Sequence, residues 1–150
     1  MADSRASMKL ASMGGNIYSC WSPCGHYVAV GNKSDTVAVY DIRTEKQVAK
    51  KHFEYEVNEF AWTDESRYLL LATGGGNAGA VDIVSFSSEC SEEKKDDSLS
   101  VVDSISAHFS YCVQLKLDPT NRRMAVGSLD RTVSLWSVED MICHHTFSFE

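Results

Sequence analysis

The sequence predicts an all-β fold made of tandem four-stranded units, and three observations carry that prediction. Short runs rich in Val, Leu, Ile and aromatic residues alternate with Asp, Pro, Asn, Gly or Arg, the mark of strand–turn–strand order. The apolar period is two almost throughout, and no long amphipathic helix can be drawn. The third is an internal repeat. With Trp21 laid on Leu117, Gly31 falls on Gly127, Thr36 on Thr132, Val37 on Val133, Val39 on Leu135, Tyr40 on Trp136 and Ile42 on Val138. A glycine, a threonine and a large aromatic staying in phase without a gap is not a chance pattern.

The fullest copy spans residues 110–149, as "VQLKLDP", "RMAVGSLD", "TVSLWSVED" and "ICHHTFSF". The middle copy opens at Trp62, 41 residues after Trp21, and the last at Leu117, 55 residues after Trp62. Three of the 14 extra residues fall in the glycine-rich stretch from Gly74 to Gly79, read here as a loop, and eleven fall in the Ser/Glu/Lys/Asp run 87–98. The underlying period of 41 lies within the ~40–45 residues of a four-stranded propeller blade. The expected division is a disordered lead-in at 1–14, one blade at 15–55, a second at 56–106 with the acidic insertion 87–98, and a third at 107–150.

Taken in order, "IYSCW" alternates into a first strand. Ser22-Pro23-Cys24-Gly25 makes a turn, since Pro presets φ at the second position and Gly suits the last. "YVAV" reads as a strand buried on both faces. Gly31 to Asp35 is the next turn, "TVAVYDI" the third strand, and "QVAKKHF" a more polar fourth strand at an edge. The second copy repeats this with "VNEFAW", "YLLLAT" and "AVDIVSF", then the 87–98 excursion, whose acidic, serine-rich composition offers too little apolar surface to offset ordering entropy. Its fourth strand resumes at "SVVDSIS".

The chain has 150 residues, 43% of them apolar, enough for a core. With 14 basic and 21 acidic residues the net charge is −7, which argues against a nucleic-acid grip spread over the whole surface. No apolar run of about eighteen residues and no signal-like leader is present, so a soluble intracellular chain is expected. Cys20, Cys24, Cys90, Cys112 and Cys143 are an odd set, as suits free thiols in a reducing compartment.

These units resemble WD repeats. Stretches such as "CWSPCGHYVAVGNKSDTV", "FEYEVNEFAW", "ISAHFSYCVQLKLDP" and "AVGSLDRTVSLWSVEDMIC" are similar, within that family, to the WD-repeat member of the THO/TREX mRNA-export assembly, and the likeness covers nearly all of the chain after residue 15. The resemblance implies three consecutive blades of a seven-bladed β-propeller left open, a non-enzymatic scaffold in the nucleus, the larger helical THO subunits as partners, RNA met indirectly, and neither cofactor nor metal. It also implies that Trp21, Gly31, Tyr40, Asp41, Trp62, His108, Gly127, Asp130 and Trp136 hold structural repeat positions. WD repeats lock a blade with a hydrogen-bonded His, Ser or Thr, Asp and Trp. In the third copy His108, Asp130 and Trp136 match, but Val126 stands where the hydroxyl belongs. The first copy keeps Tyr40-Asp41 at the Trp-Asp position and the second only Val84-Ser85. An uncovered terminal blade exposes an apolar face of about 400 Å², worth about 10 kcal/mol at ~25 cal/mol/Å². A fragment of a longer protein, the product of a truncated gene model, or a chain with partners at both faces is therefore expected.

Other chemistries are weaker. Gly74-x-Gly76-x-x-Gly79 follows a strand as a dinucleotide fingerprint does, but "AVDIVSF" after it is a strand and not the required helix, so the stretch reads as a long glycine hairpin. Cys20 and Cys24, with Cys143, His144 and His145, could be imagined as zinc ligands, yet neighbours on a strand point to opposite faces. No spaced nucleophile motif exists. Basic residues cluster weakly at Lys50, Lys51 and His52 and at Arg122, Arg123 and Arg131, too few for a firm hold on phosphates. The serines of 87–98 beside acidic residues are candidate phosphorylation sites.

Overall fold

The computed structural model describes residues 15–63, 65–75, 78–88 and 98–148; the lead-in 1–14 and most of the insertion 87–98 lie outside them. Among these residues twelve strands form three four-stranded antiparallel sheets, and there is no α-helix. The first sheet contains β1 (Asn16–Trp21), β2 (Tyr27–Asn32), β3 (Thr36–Asp41) and β4 (Lys46–His52) in that order. The second contains β5 (Glu56–Trp62), β6 (Tyr68–Gly75), β7 (Ala78–Phe86) and β8 (Leu99–His108). The third contains β9 (Cys112–Leu117), β10 (Arg123–Ser128), β11 (Thr132–Ser137) and β12 (Cys143–Ser148). The first strands stand side by side, β1 next to β5 and β5 next to β9.

The repeat is written into the backbone as well as the side chains. Left-handed φ occurs at Gly25, Asp35 and Glu45, and again 96 residues later at Asn121, Arg131 and Met141, with Ser66 at the first of these positions in the middle sheet. At the first turn of each sheet a backbone bond closes the loop: Gly25 N donates to Ser22 O, Ser66 N to Thr63 O and Asn121 N to Asp118 O. Register shifts also recur, between Val39 and Tyr40, Ile83 and Val84, and Leu135 and Trp136, where each third strand meets its fourth. A bulge at that place increases local twist and re-aims the side chains of the outer strand.

Apolar side chains fill the two spaces between sheets. Tyr18, Ala29, Val37 and Val39 of the first sheet meet Val57, Phe60, Trp62, Leu69 and Leu71 of the second. Leu70, Ala72 and Val81 of the second meet Cys112, Leu115, Met124, Val126 and Trp136 of the third. Leu69, Leu70 and Leu71 are all fully buried because the middle sheet is covered on both faces, which is why "YLLLAT" is a continuous apolar run. Position matters more than residue type at the sheet ends. Trp62 is 3% exposed against the sheet before it, whereas the equivalent Trp21, with no described sheet in front of it, is 63% exposed.

The glycine-rich stretch is the long hairpin that its place between two strands predicts. β6 runs on to Gly75 and β7 starts at Ala78, with Gly74 paired to Gly79 and Gly75 to Ala78. A Cβ on Gly79 would stand 2.1 Å from the Ser110 carbonyl oxygen, and one on Gly74 2.5 Å from the Tyr111 ring. These glycines let the entry to the third sheet press against the second. The 87–98 insertion is pinched at its base, where Ser87 N donates to Ser98 O.

Candidate functional site

The expected repeat residues come together most fully between the second and third sheets. His108 ends β8, and its imidazole reaches into the third sheet. Nδ1 lies 3.0 Å from Asp130 Oδ2 and Nε2 lies 2.7 Å from Ser134 Oγ. Trp136 Nε1 donates to the same Ser134 oxygen at 2.6 Å. The donors can run one way: indole N–H to Ser134, Ser134 hydroxyl to Nε2, and Nδ1–H to Asp130. Asp130 also accepts from the Thr132 hydroxyl at 2.6 Å, from Thr132 N at 3.0 Å and from Phe109 N at 3.2 Å. Burial works to raise the Asp130 pKa, but the Thr132 hydroxyl and the His108 imidazole outweigh it and hold the carboxyl down at about 2. This arrangement pairs the buried side-chain polar atoms of His108, Ser134 and Trp136 and fixes a turn.

The missing hydroxyl at Val126 is supplied by Ser134, a residue the repeat pattern did not single out. In the second sheet the corresponding position is Asp82, 3% exposed, whose two carboxylate oxygens accept from the hydroxyls of Tyr55 and Ser104. Tyr55 enters between the first and second sheets as His108 does between the second and third. In the first sheet the same position is Ala38, and among the described residues no polar group bonds there; Tyr40 is buried and its hydroxyl lies 3.4 Å from Gln47 Oε1. Asp41 instead pairs with Arg43 at 2.7 Å, and that guanidinium holds its carboxyl at about 2.

The remaining expected positions have individual fates. Gly31 is pressed by the Tyr18 ring, 2.2 Å from where a Cβ would stand, whereas at Gly127 the nearest atom is 3.8 Å away. Trp62 packs edge-on against Phe86, and its Nε1 is buried without a partner. Side chains of the first strands tie successive sheets. Tyr18 OH donates to Val57 O at 2.5 Å, and Glu59, at the equivalent position one sheet on, accepts from Leu115 N at 2.8 Å. Asn58 Nδ2 adds a bond to Cys112 O at 2.9 Å.

Among the described residues no group of three or more His, Cys, Asp or Glu is placed to hold a metal ion. Cys20, Cys24, Cys112 and Cys143 are free thiols, and burial raises Cys20 and Cys112 to about 12. The glycine stretch leads into β7, so no helix N-terminus meets it. No described helix is long and apolar enough to cross a membrane.

Comparison with known proteins agrees with this architecture. The chain is 35% identical over 144 residues to THO complex subunit 3 of Arabidopsis thaliana, covering 96% of this chain and 42% of that protein. It is 30% identical over 133 residues to the WD repeat-containing protein AAC3 of Dictyostelium discoideum, covering 88% of this chain and 26% of that one. It thus spans less than half the length of these relatives. A chain in the crystal structure of the mitotic checkpoint complex superposes on 80% of this one, itself covered to 36%, with a TM-score of 0.66 at 20% identity, a likeness of fold alone. The model of the family described as "Eukaryotic translation initiation factor eIF2A" matches residues 2–147. Three tandem four-stranded sheets, the polar lock at His108, and this match over nearly the whole chain lead to one conclusion: the chain belongs to that family and is built of WD-repeat propeller blades.

Proposed function

We propose that the chain works as a non-enzymatic scaffold of a THO/TREX-type assembly in the nucleus, supporting mRNP assembly and export of mRNA by holding other THO subunits, with RNA engaged indirectly. The observation that carries this reading is the likeness to THO complex subunit 3 across 96% of the chain. Polar groups at the blade junctions bond to one another rather than converge on a cleft, as suits a rigid platform. In this reading residues 15–55, 56–106 and 107–150 are the blades. Trp21, Gly31, Tyr40, Asp41, Trp62, His108, Gly127, Asp130 and Trp136 serve structure, and partners meet the rims.

A second reading keeps the fold and changes the assembly. The family description names a translation initiation factor, and another relative is a WD-repeat protein of a different kind. Affinity purification of the tagged chain from nuclear extract separates the two. Co-purification of THO subunits is expected; a stable set of partners without them would replace the first reading with the second.

A further inference from the structure

The two seams between sheets are filled differently at one end. Equivalent positions there are fixed by a recurring backbone bond: Ile42 N donates to His26 O, Phe86 N to Arg67 O and Val138 N to Arg122 O. Phe86 and Val138 therefore correspond, as do Tyr27 and Tyr68, the residues that follow His26 and Arg67. In the first seam the Phe86 ring closes the space, edge-on to Tyr27 at 5.0 Å and to Trp62 at 5.4 Å. In the second seam Val138 stands in place of Phe86 and Leu117 in place of Trp62. Tyr68 accordingly meets no other ring among the described residues and is 41% exposed, where Tyr27 is half-buried.

A cleft of about 710 Å³ opens at that place, with Leu70, Ile83, Val138 and Met141 beside Tyr68. Its walls come from the second and third sheets, so it lies between two adjacent sheets of the chain and not on an end face. Leu70, Ile83, Val138 and Met141 all belong to the apolar cluster between those sheets, which makes the cleft the open end of an existing apolar interface. Its volume falls in the ~300–1,000 Å³ range of clefts that hold a compact ligand group.

We infer that this cleft takes an aromatic side chain carried on a segment of a partner protein. The first seam shows what fits such a space: a ring set edge-on to the tyrosine, the arrangement that the quadrupoles of two rings favour. Glu65 and Glu139 line the cleft together with Arg122, so charges of both signs face the occupant and no polyanion or polycation is selected. Residues 1–14 and 87–98 contain no Phe, Tyr or Trp, so neither stretch of this chain supplies the ring. The inference rests on the scaffold reading and deepens it by naming the chemistry of one contact.

The test uses the full chain, labelled at isoleucine and methionine methyl groups, and the blocked peptide N-acetyl-Gly-Phe-Gly-amide, followed by methyl NMR. Saturable shifts at Ile83 and Met141 that do not weaken with salt are expected, and the Gly-Leu-Gly peptide should bind about tenfold more weakly. Val138→Phe, which installs the ring of the first seam, and Tyr68→Ala, which removes the ring the ligand would meet, should each lower affinity about tenfold or more. Should Val138→Phe fail to fold, Tyr68→Ala decides alone, since Tyr68 is too exposed to carry the core. No saturable shift in the wild-type chain, or equal affinity in Tyr68→Ala, would overturn the site. Toluene binding as tightly as the peptide would overturn the choice of a protein segment. Shifts at the same methyls that grow with protein concentration alone would seat a second copy of the chain there and overturn the choice of partner. Since no THO subunit takes part, failure here is distinct from failure of the co-purification above.

Discussion

Ser134 stands directly across the β10/β11 ladder from Val126, and its hydroxyl takes the place between His108 and Trp136 that a hydroxyl at 126 would otherwise fill. Directly paired residues of an antiparallel ladder share a face with Cβ atoms about 5 Å apart. A polar group can therefore move from one strand to its partner and still serve the same buried imidazole. Val126, freed from that duty, is fully buried in the apolar seam with Leu70 and Ala72.

Ser134→Ala should destabilise the chain by about 2–3 kcal/mol, because it strands both the Trp136 indole N–H and His108 Nε2 in a buried site. Adding Val126→Ser to that variant should restore about 1 kcal/mol or more by returning the hydroxyl from across the ladder. Urea unfolding followed by tryptophan fluorescence measures both. If Val126→Ser costs as much in the Ser134→Ala background as in the wild type, the two positions do not exchange roles.

The strand order and period are legible in the sequence because each strand alternates and each turn carries its own chemistry. His108, Asp130 and Trp136 were legible because a His before one strand, an Asp in a turn and a Trp two strands later fit a known lock. Ser134 was not, since a serine in mid-strand looks like any half-buried polar position. Tyr55 and Asp82 escaped for a related reason: a phenol and a carboxylate do the work of an imidazole and a hydroxyl, and only the fold brings the two residues together. The glycine hairpin is legible from the strands on either side of it, but the need for glycine at 74 and 79 is not, because it lies in the entry to the next sheet.

Acid should weaken the fold in a defined window. The folded-state values of Asp130 and Asp41 lie at about 2, below the 3.8 of a free aspartate, so their ionised forms stabilise the folded chain. That contribution is fully present above about pH 4 and is lost as pH falls toward 2. Both carboxylates are mostly buried, so each loss is on the order of 2 kcal/mol. Asp130→Asn should lower stability at neutral pH and flatten the decline between pH 4 and 2, measured as urea midpoints across that range. An unchanged slope would show that Asp130 does not carry the linkage.

Gly127 belongs to the repeat and Gly79 does not, yet their tolerance of a side chain should run the other way. A Cβ at Gly79 meets backbone, the Ser110 oxygen at 2.1 Å and Cys112 N at 2.7 Å, and neither can move without opening the seam between the second and third sheets. Gly79→Ala should therefore cost about 3 kcal/mol and raise hydrogen exchange along β9. At Gly127 the nearest atom is 3.8 Å away, and its φ is not left-handed, so Gly127→Ala should be neutral or stabilise by about 0.5 kcal/mol through the unfolded chain. Thermal unfolding of the two variants ranks them. A Gly79→Ala chain as stable as Gly127→Ala would mean that β9 does not rest against the glycine hairpin.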